Sequence, residues 1–415
     1  MISIDKKYYL YEATGSAGFM RPIMVLYVVG QGVSYQELGF LSAFLSATVL
    51  LLEVPTGAVT DRLGRRRSLL VSTVLYITMT IGFVLAGSFW AFLPVYFARA
   101  VAKGFLSGSS SSWLYDVLEE RSATEEYTRI RGRGKTAQWV SLTVTVSVGG
   151  VLYTIDPLYP FYCTAVLNGI ALAVIWSFPE AEYRNDPSED ETPWRAIKQT
   201  IGTIREQTED TTLRVYLIVI CSFYGVISAS NTYIQPLVAE GYSDPAGLGL
   251  GISAILPVGA ALGGLYAVAR LLSGVMSALA PRLESAIGPH WSVVLVLCTL
   301  AGSLVLPFVS PVGTVMLFFV LNGPKALIRP ISESFLNSRI DAASRATVMS
   351  FISMLYSGVA IPVNLIIGFV STRVSLEFAL LIVAVPTVAA GLLWVRYARL
   401  LPVNPHAQAV TPEDN

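Results

Sequence analysis

Long apolar stretches are the feature that most constrains this chain, and we count twelve of them in its 415 residues. A helix needs roughly 20 apolar residues to cross a bilayer. An isolated strand in lipid would leave its backbone polar groups unpaired, so each stretch predicts a membrane-spanning helix. The predicted spans lie near 8–30, 37–60, 67–88, 90–115, 137–156, 159–178, 214–238, 256–280, 291–309, 312–335, 345–370 and 376–398.

The composition excludes a soluble enzyme. Hydrophobic residues make up 53% of the chain and charged residues 13%, whereas soluble proteins have about 25% charged residues. The formal net charge is zero, which predicts no nucleic-acid partner. The three cysteines lie inside apolar runs, so we expect no disulfide, metal site or cofactor. They are Cys163, Cys221 and Cys298. We expect the first stretch to serve as an uncleaved insertion signal.

Basic residues mark the loops on one side of the predicted bundle. They lie before the first span, between spans 2 and 3, 4 and 5, 10 and 11, and after the last span. The opposite side carries only Arg373. Because short cytoplasmic loops are rich in Lys and Arg, both termini are predicted to be cytoplasmic. The sequence thus predicts a multi-pass, lipid-surrounded plasma-membrane protein, which we expect to be a monomer.

One longer connection divides the chain into two halves. We predict a six-helix bundle over 1–178, a cytoplasmic linker over 179–213, a second bundle over 214–400 and a cytoplasmic tail over 401–415. Within the linker, apolar residues after Pro193 recur at helical spacing, which favours an amphipathic helix on the membrane surface. A regulatory docking site is the alternative interpretation of this helix.

The halves resemble each other weakly. Aligning Trp113 with Phe335 brings Lys103 opposite Lys325. Aligning Arg133 with Arg345 brings 139–141 opposite 351–353. Duplicated six-helix units are typical of secondary transporters, whose substrate sites lie between the repeats.

A motif between spans 2 and 3 carries a family resemblance. Residues 57–67 read GAVTDRLGRRR, which is similar to the G-x-L-A-D-R-x-G-R-R signature of the major facilitator superfamily. The matching positions are Gly57, Asp61, Arg62, Gly64, Arg65 and Arg66. The positive-inside rule explains the arginines but not the glycines or the aspartate. The resemblance implies an all-α fold of twelve transmembrane helices in two pseudo-symmetric six-helix bundles, and transport by alternating access rather than catalysis.

The resemblance also implies a gate. Gly57 would allow another helix to approach closely, and Asp61 could interact with a helix dipole. Arg65 could pair with Asp116 at the end of span 4. By resemblance, Asp61, Arg65 and Asp116 would latch the cytoplasmic side closed. The counterpart in the second half, at 282–288, is degenerate.

Three further stretches resemble an exporter-like prokaryotic branch of the family. They are Arg21-Pro22-Ile23, the segment 52–57 and Arg345-Ala346-Thr347. The proline-containing signature of drug–proton antiporters is missing from span 5, where 146–152 read VSVGGVL. On this resemblance we favour a proton-coupled exporter, an antiporter, of a small organic molecule.

Charges inside the predicted spans favour an alternative substrate. A charge at the bilayer centre costs roughly 2.5–3.5 kcal/mol on an insertion scale, so such groups should face a cavity or a partner. Basic groups outnumber acidic ones within the spans. A shared basic cavity would bind an organic anion or a phosphate ester, and an exchanger is the alternative function. The candidate substrate-binding residues are Arg21, Arg99, Lys103, Tyr224, Asn231, Lys325 and Arg329.

Structural roles for the same charges remain open. Arg329 could pair with Glu333 one turn away, and Arg21 with Glu53 or Glu12. Both histidines lie outside the spans, so proton coupling would depend on Glu12 or Glu53. Glu53 could equally be structural. A membrane-embedded metalloprotease is disfavoured because H-E-x-x-H is missing, and the intact motif disfavours a receptor or a channel.

Overall fold

The regular structure of the described residues is helical, as the apolar stretches predict. The computed structural model describes residues 3–15, 18–180, 211–243, 256–337 and 345–398. Their helices are α1 (Ile4–Thr14), α2 (Met24–Gly30), α3 (Tyr35–Leu63), α4 (Arg65–Leu85), α5 (Phe89–Leu106), α6 (Ser109–Glu120), α7 (Tyr127–Ile155), α8 (Tyr159–Trp176), α9 (Thr211–Ser243), α10 (Val258–Val309), α11 (Pro311–Asn337), α12 (Arg345–Arg373) and α13 (Leu376–Ala398). Eleven segments of the described residues are long and apolar enough to cross a membrane.

The first predicted span is the one outside that count, because it is broken. The sequence predicts one helix near 8–30, but α1 ends at Thr14 and α2 begins at Met24. Turns at 18–23 separate them. Pro22 lies in these turns, and a proline lacks the N–H that a continuous helix needs. The interruption places Arg21 in irregular backbone at the middle of the span.

Other boundaries also differ from the prediction. Span 4 is divided into α5 and α6 at Gly108, whose φ of +73° suits glycine. Predicted spans 8 and 9 are joined in α10, which is non-helical at Gly288. The fifth span begins at Tyr127 rather than near 137. Its basic residues therefore lie on α7 instead of in a loop, because charge marks the membrane surface and not the end of a helix.

The bundle has two halves along the chain and two ends across the predicted membrane. We call residues 3–180 the first half and residues 211–398 the second half; the predicted interfacial helix after Pro193 and the tail lie outside the described residues. The halves meet mainly where α3 contacts α12 and where α7 contacts α10. Successive spans alternate in direction, so the start of α1, the end of α13 and the turn at Gly64 share one end, which we call the termini end. The turns at Gly32 and Asp156 lie at the opposite end, the far end.

Candidate functional site

Basic side chains from both halves converge in the interior of the bundle. The ammonium group of Lys325, on α11, lies within electrostatic reach of four other cations. They are Arg21 in the helix break, Lys103 on α5, Arg270 on α10 and Arg329 on α11. Arg21 in turn lies within reach of Arg99 on α5. The structure therefore brings together all five basic candidates, and it adds Arg270, which was not among them.

These cations line a cavity rather than a packed core. Arg21, Lys103 and Lys325 are surrounded by protein, yet each keeps a solvent-exposed side chain. From this combination we infer that these side chains border a space inside the bundle. We call this space the basic cavity, lined by Arg21, Arg99, Lys103, Arg270, Lys325 and Arg329.

Carboxylates offset only part of this charge. Arg329 Nε lies 2.9 Å from Glu333 Oε1, so the alternative pairing of Arg329 is confirmed. Glu53, on α3, lies within electrostatic reach of Lys103 and of Tyr356. Among the described residues, the remaining four cations form no ion pair. These are Arg21, Arg99, Arg270 and Lys325.

Aromatic groups border the same region. The guanidinium of Arg270 lies 5.4 Å from the ring centroid of Trp139, across the boundary between the halves. The rings of Tyr224 and Tyr356 are 6.2 Å apart, and Tyr224 lies within reach of Arg329. Asn231 behaves differently, because its Nδ2 donates to the carbonyl of Ile227 in its own helix at 2.9 Å. The arrangement supports Tyr224 as a cavity residue more strongly than Asn231.

The gate motif folds into a compact basic turn between α3 and α4. Gly64 has a φ of +84°, which glycine adopts without strain. Arg65 Nη1 lies 3.0 Å from Asp61 Oδ1 across this turn. Arg66 Nη2 donates to the carbonyl of Trp176 at 2.7 Å and so caps α8. Arg62 is exposed at the end of α3. The motif thus ties three helices of the first half together.

One expectation for the gate differs from the structure. A Cβ at Gly57 would meet no atom of the described chain within 4 Å, so no helix approaches Gly57 closely in this arrangement. Arg65 forms an ion pair with Asp61, and Asp116 also lies within electrostatic reach of Arg65. Both carboxylates are thus near one arginine. A small pocket of about 20 Å³ at this turn is lined by Leu63, Gly64, Arg65, Arg66, Arg67, Trp113, Asp116 and Glu180.

Glu12 lies outside the basic cavity. Its carboxylate is 3.0 Å from Lys135 Nζ and accepts a hydrogen bond from Ser110 Oγ at 3.2 Å. Only 3% of the Glu12 residue surface is exposed. The position links α1, α6 and α7 near the termini end, which favours a structural role.

Hydrogen bonds join the two halves at the far end. The Tyr35 hydroxyl donates to the carboxylate of Glu240. The Gln36 amide N–H donates to Thr372 Oγ1 at 2.9 Å, and Arg373 Nη1 donates to Gln36 Oε1 at 3.5 Å. Sequence reasoning missed these contacts because each pairs residues more than 200 positions apart along the chain.

Glycines let the helices of opposite halves touch at the same end. A Cβ at Gly150, on α7, would lie 2.2 Å from the carbonyl oxygen of Gly259, on α10. A Cβ at Gly39, on α3, would lie 2.7 Å from the carbonyl oxygen of Asn364, on α12. The two interfaces between the halves are therefore closed by direct backbone contact.

The family model described as Major Facilitator Superfamily matches residues 13–283. The chain belongs to the major facilitator superfamily. It is therefore a multi-pass membrane transporter and not an enzyme. The motif at 57–67 predicts this membership, and the family model confirms it.

Relatives within the superfamily span nearly the whole chain. The uncharacterised MFS-type transporter YxaM of Bacillus subtilis (strain 168) is 23% identical over 390 residues, covering 89% of each chain. The solved structure of the nucleoside transporter NupG has a TM-score of 0.77 at 12% identity, covering 95% of this chain and 98% of that one. The human organic anion transporter MFSD10 has a TM-score of 0.61 at 16% identity, covering 94% and 98%. The structural likenesses establish the twelve-helix fold.

Proposed function

We propose that this transporter carries a small organic anion through the basic cavity. The observation that supports the proposal is the convergence of cations from both halves on one accessible space. Arg21, Arg99 and Lys103 come from the first half, and Arg270, Lys325 and Arg329 from the second. Phosphate esters and organic carboxylates have the chemistry that such a site recognises.

The energetics favour an anion over a neutral substrate. Like charges within electrostatic reach repel, and enclosure by protein removes part of their hydration. A bound anion offsets both costs, since it supplies opposite charge inside a region that excludes bulk water. Arginine adds selectivity because its planar guanidinium can bind a carboxylate or phosphate with two parallel hydrogen bonds.

The lysine pair suggests how both halves contact one substrate. Lys103 and Lys325 occupy equivalent places in the two halves by sequence alignment, and each lies within reach of the other's charge. An anion held between them would contact both halves at once. Rocking of the halves about that contact would expose the site to one side of the membrane and then the other.

We further propose that the termini end faces the cytoplasm. Arg62, Arg67 and Arg121 are exposed at that end, as expected for cytoplasmic loops. With the far end closed by hydrogen bonds and glycine contacts, this arrangement would then correspond to a carrier that opens to the cytoplasm. Residence in the plasma membrane belongs to the same proposal.

Export driven by a proton gradient remains our proposal for the energetics of transport. Of the two carboxylates considered, Glu53 is supported because it neighbours Lys103 and the basic cavity. Glu12 is less favoured as the proton-coupling carboxylate, since it forms an ion pair with Lys135. Protonation of Glu53 would change the charge beside Lys103, so proton binding and substrate binding at this site would be linked.

The experiment that tests this function is flux in proteoliposomes. Vesicles would contain the purified protein and, in separate assays, labelled succinate, glycerol 3-phosphate, a nucleoside and a lipophilic cation. We expect counterflow of at least one anion and none of the cation. Transport of only the nucleoside or the cation would contradict the proposal. Repeating the assay with a pH gradient of either sign determines the coupling and the direction.

Replacing Glu53 with glutamine should abolish pH-gradient-driven anion flux while exchange of anion for anion persists. The carboxamide keeps the size of the side chain but cannot take up a proton. The control is Glu12→Gln, which we expect to lower the melting temperature without uncoupling transport, because it weakens the contact with Lys135. Retention of gradient-driven flux in Glu53→Gln would remove Glu53 from the coupling mechanism.

Replacing Asp61 with asparagine should slow transport several-fold while the protein stays folded, as judged by its melting temperature. Asparagine is nearly the same size as aspartate but cannot form the ion pair with Arg65. An exposed ion pair contributes about 0.2–1 kcal/mol to stability. The matched control is Glu126→Gln, which removes the exposed pair with Arg129 at the same end. Equal turnover in the two variants would exclude a gating role for Asp61.

A further inference from the structure

The break in the first span is bridged by one side chain from the opposite half. Gln235, on α9, accepts hydrogen bonds at Oε1 from the backbone N–H of Val25 at 2.9 Å and of Leu26 at 3.3 Å. Its Nε2 donates to the carbonyl of Arg21 at 2.9 Å and to the hydroxyl of Tyr266 at 3.1 Å. Only 3% of the Gln235 residue surface is exposed. All hydrogen-bonding groups of this amide are therefore used.

The position of the amide is specific to a helix break. In a continuous helix the N–H of Val25 would donate directly to the carbonyl of Arg21, four residues earlier. The Gln235 amide instead lies between these two groups, accepting from one and donating to the other. Insertion of a side chain into the backbone ladder is a known cause of helix interruption. Gln235 thus substitutes for a backbone hydrogen bond of α2.

The bridge crosses the boundary between the halves. Arg21 and α2 belong to the first half, whereas Gln235 and Tyr266 belong to the second. Any movement that parts the halves at the far end must withdraw Gln235 from α2. The N–H of Val25 and the carbonyl of Arg21 would then be left without partners in an apolar region, or would bond to each other and extend α2 back to Pro22, which is tolerated in the first turn of a helix.

We propose that Gln235 is a positioning residue that holds the first span broken, with Arg21 in the basic cavity, as long as the far end is closed. The break is then a two-state element. When the halves separate at the far end, α2 extends back to Pro22 and Arg21 leaves its place. Closure of the far end and the placement of a cavity cation are thereby coupled through one amide.

Two variants at position 235 distinguish the contribution of the hydrogen bonds of Gln235 from the contribution of its packing. Gln235→Met keeps the length of the side chain and loses every hydrogen bond. Gln235→Glu keeps an acceptor for the two backbone N–H groups. The matched control is Asn322→Leu, which removes a half-buried amide that bonds only within α11, to the carbonyl of Phe318.

The test measures the far-end distance between the halves by pulsed electron spin resonance. Spin labels would be attached at Ser88→Cys and Val374→Cys, in turns of opposite halves, with Cys163 and Cys298 replaced by serine. We expect Gln235→Met to raise the ratio of open to closed far-end distances about tenfold, since the three hydrogen bonds from Gln235 to the first half are lost and one backbone hydrogen bond of α2 can replace them. Asn322→Leu should stay within about twofold of the parent, and Gln235→Glu, which keeps the acceptor but loses the donor to the Arg21 carbonyl, should give a ratio between those of Asn322→Leu and Gln235→Met.

The result that overturns the proposal is a Gln235→Met distance distribution equal to that of Asn322→Leu. Should Gln235→Met fail to fold, Tyr266→Phe provides the second variant, because it removes only the hydroxyl that orients Gln235. It should shift the same ratio in the same direction by a smaller factor, and an unchanged ratio would also overturn the proposal. No substrate is added, so the outcome is independent of whether the carrier transports an anion.

Discussion

Replacing Lys325 with alanine should weaken binding of an anionic substrate by about 10- to 100-fold, because a hydrogen bond to a charged group contributes about 1.5–3 kcal/mol. Lys103→Ala should have an effect of the same size, since the two lysines occupy equivalent positions in the two halves. The thermal stability of the unliganded protein, in contrast to the affinity, should not decrease in either variant. Each substitution removes one of several mutually repelling cations, so the melting temperature should stay constant or rise.

Weaker binding together with an unchanged or higher melting temperature distinguishes a binding role of Lys325 from a structural role. If Lys325 held helices together through a carboxylate, its loss would lower both stability and affinity. The control is Arg129→Ala, which removes a cation from an exposed ion pair outside the basic cavity. Affinities would be measured by isothermal titration with the anion that shows counterflow. Unchanged affinity in both lysine variants would remove them from the substrate site.

Replacing Gly150 with valine should hold the far end open and reduce transport by about 10- to 100-fold. A Cβ at this position would lie 2.2 Å from the carbonyl oxygen of Gly259 and 2.8 Å from Gly263 Cα. These are backbone atoms that cannot rotate away. Overpacking of this kind typically costs about 1–3 kcal/mol, and that cost falls only on the conformation in which α7 and α10 touch.

The measurement for this prediction combines flux with the far-end spin-label distance. Gly169→Val is the matched control, because a Cβ at Gly169, on the neighbouring α8, meets nothing within 4 Å. Gly39→Val should reproduce the effect at the other interface, where α3 meets α12. A Gly150→Val protein with normal flux and a closed far end would show that this contact does not govern the cycle.

Hydropathy predicted the number and the approximate place of the membrane-spanning helices. It did so because a long apolar stretch in lipid has few alternatives to a helix. Hydropathy could not predict the break at Arg21-Pro22. A proline inside a span is tolerated when neighbouring groups satisfy the freed backbone, and here that group is Gln235, more than 200 residues away.

The basic cavity could be predicted in outline but not in detail. Because charges inside a membrane-spanning helix should face a cavity or a partner, the basic residues on the spans predicted a shared basic cavity. Which of them are offset depends on contacts that only the fold creates. Arg329 is paired within its own helix, whereas Lys325, one turn away, faces cations from both halves. Glu12 and Glu53 looked alike in sequence, yet one is buried against Lys135 and the other borders the cavity.

Ligand-induced thermal stabilisation tests the central claim most directly, because a ligand that binds the folded state raises its melting temperature. The panel would hold organic anions, phosphate esters, lipophilic cations and neutral sugars, each tested on the parent protein and on Lys325→Ala. We expect stabilisation by at least one anion, and its loss in Lys325→Ala. Stabilisation only by lipophilic cations or neutral compounds, equal in both proteins, would contradict an anion-binding cavity.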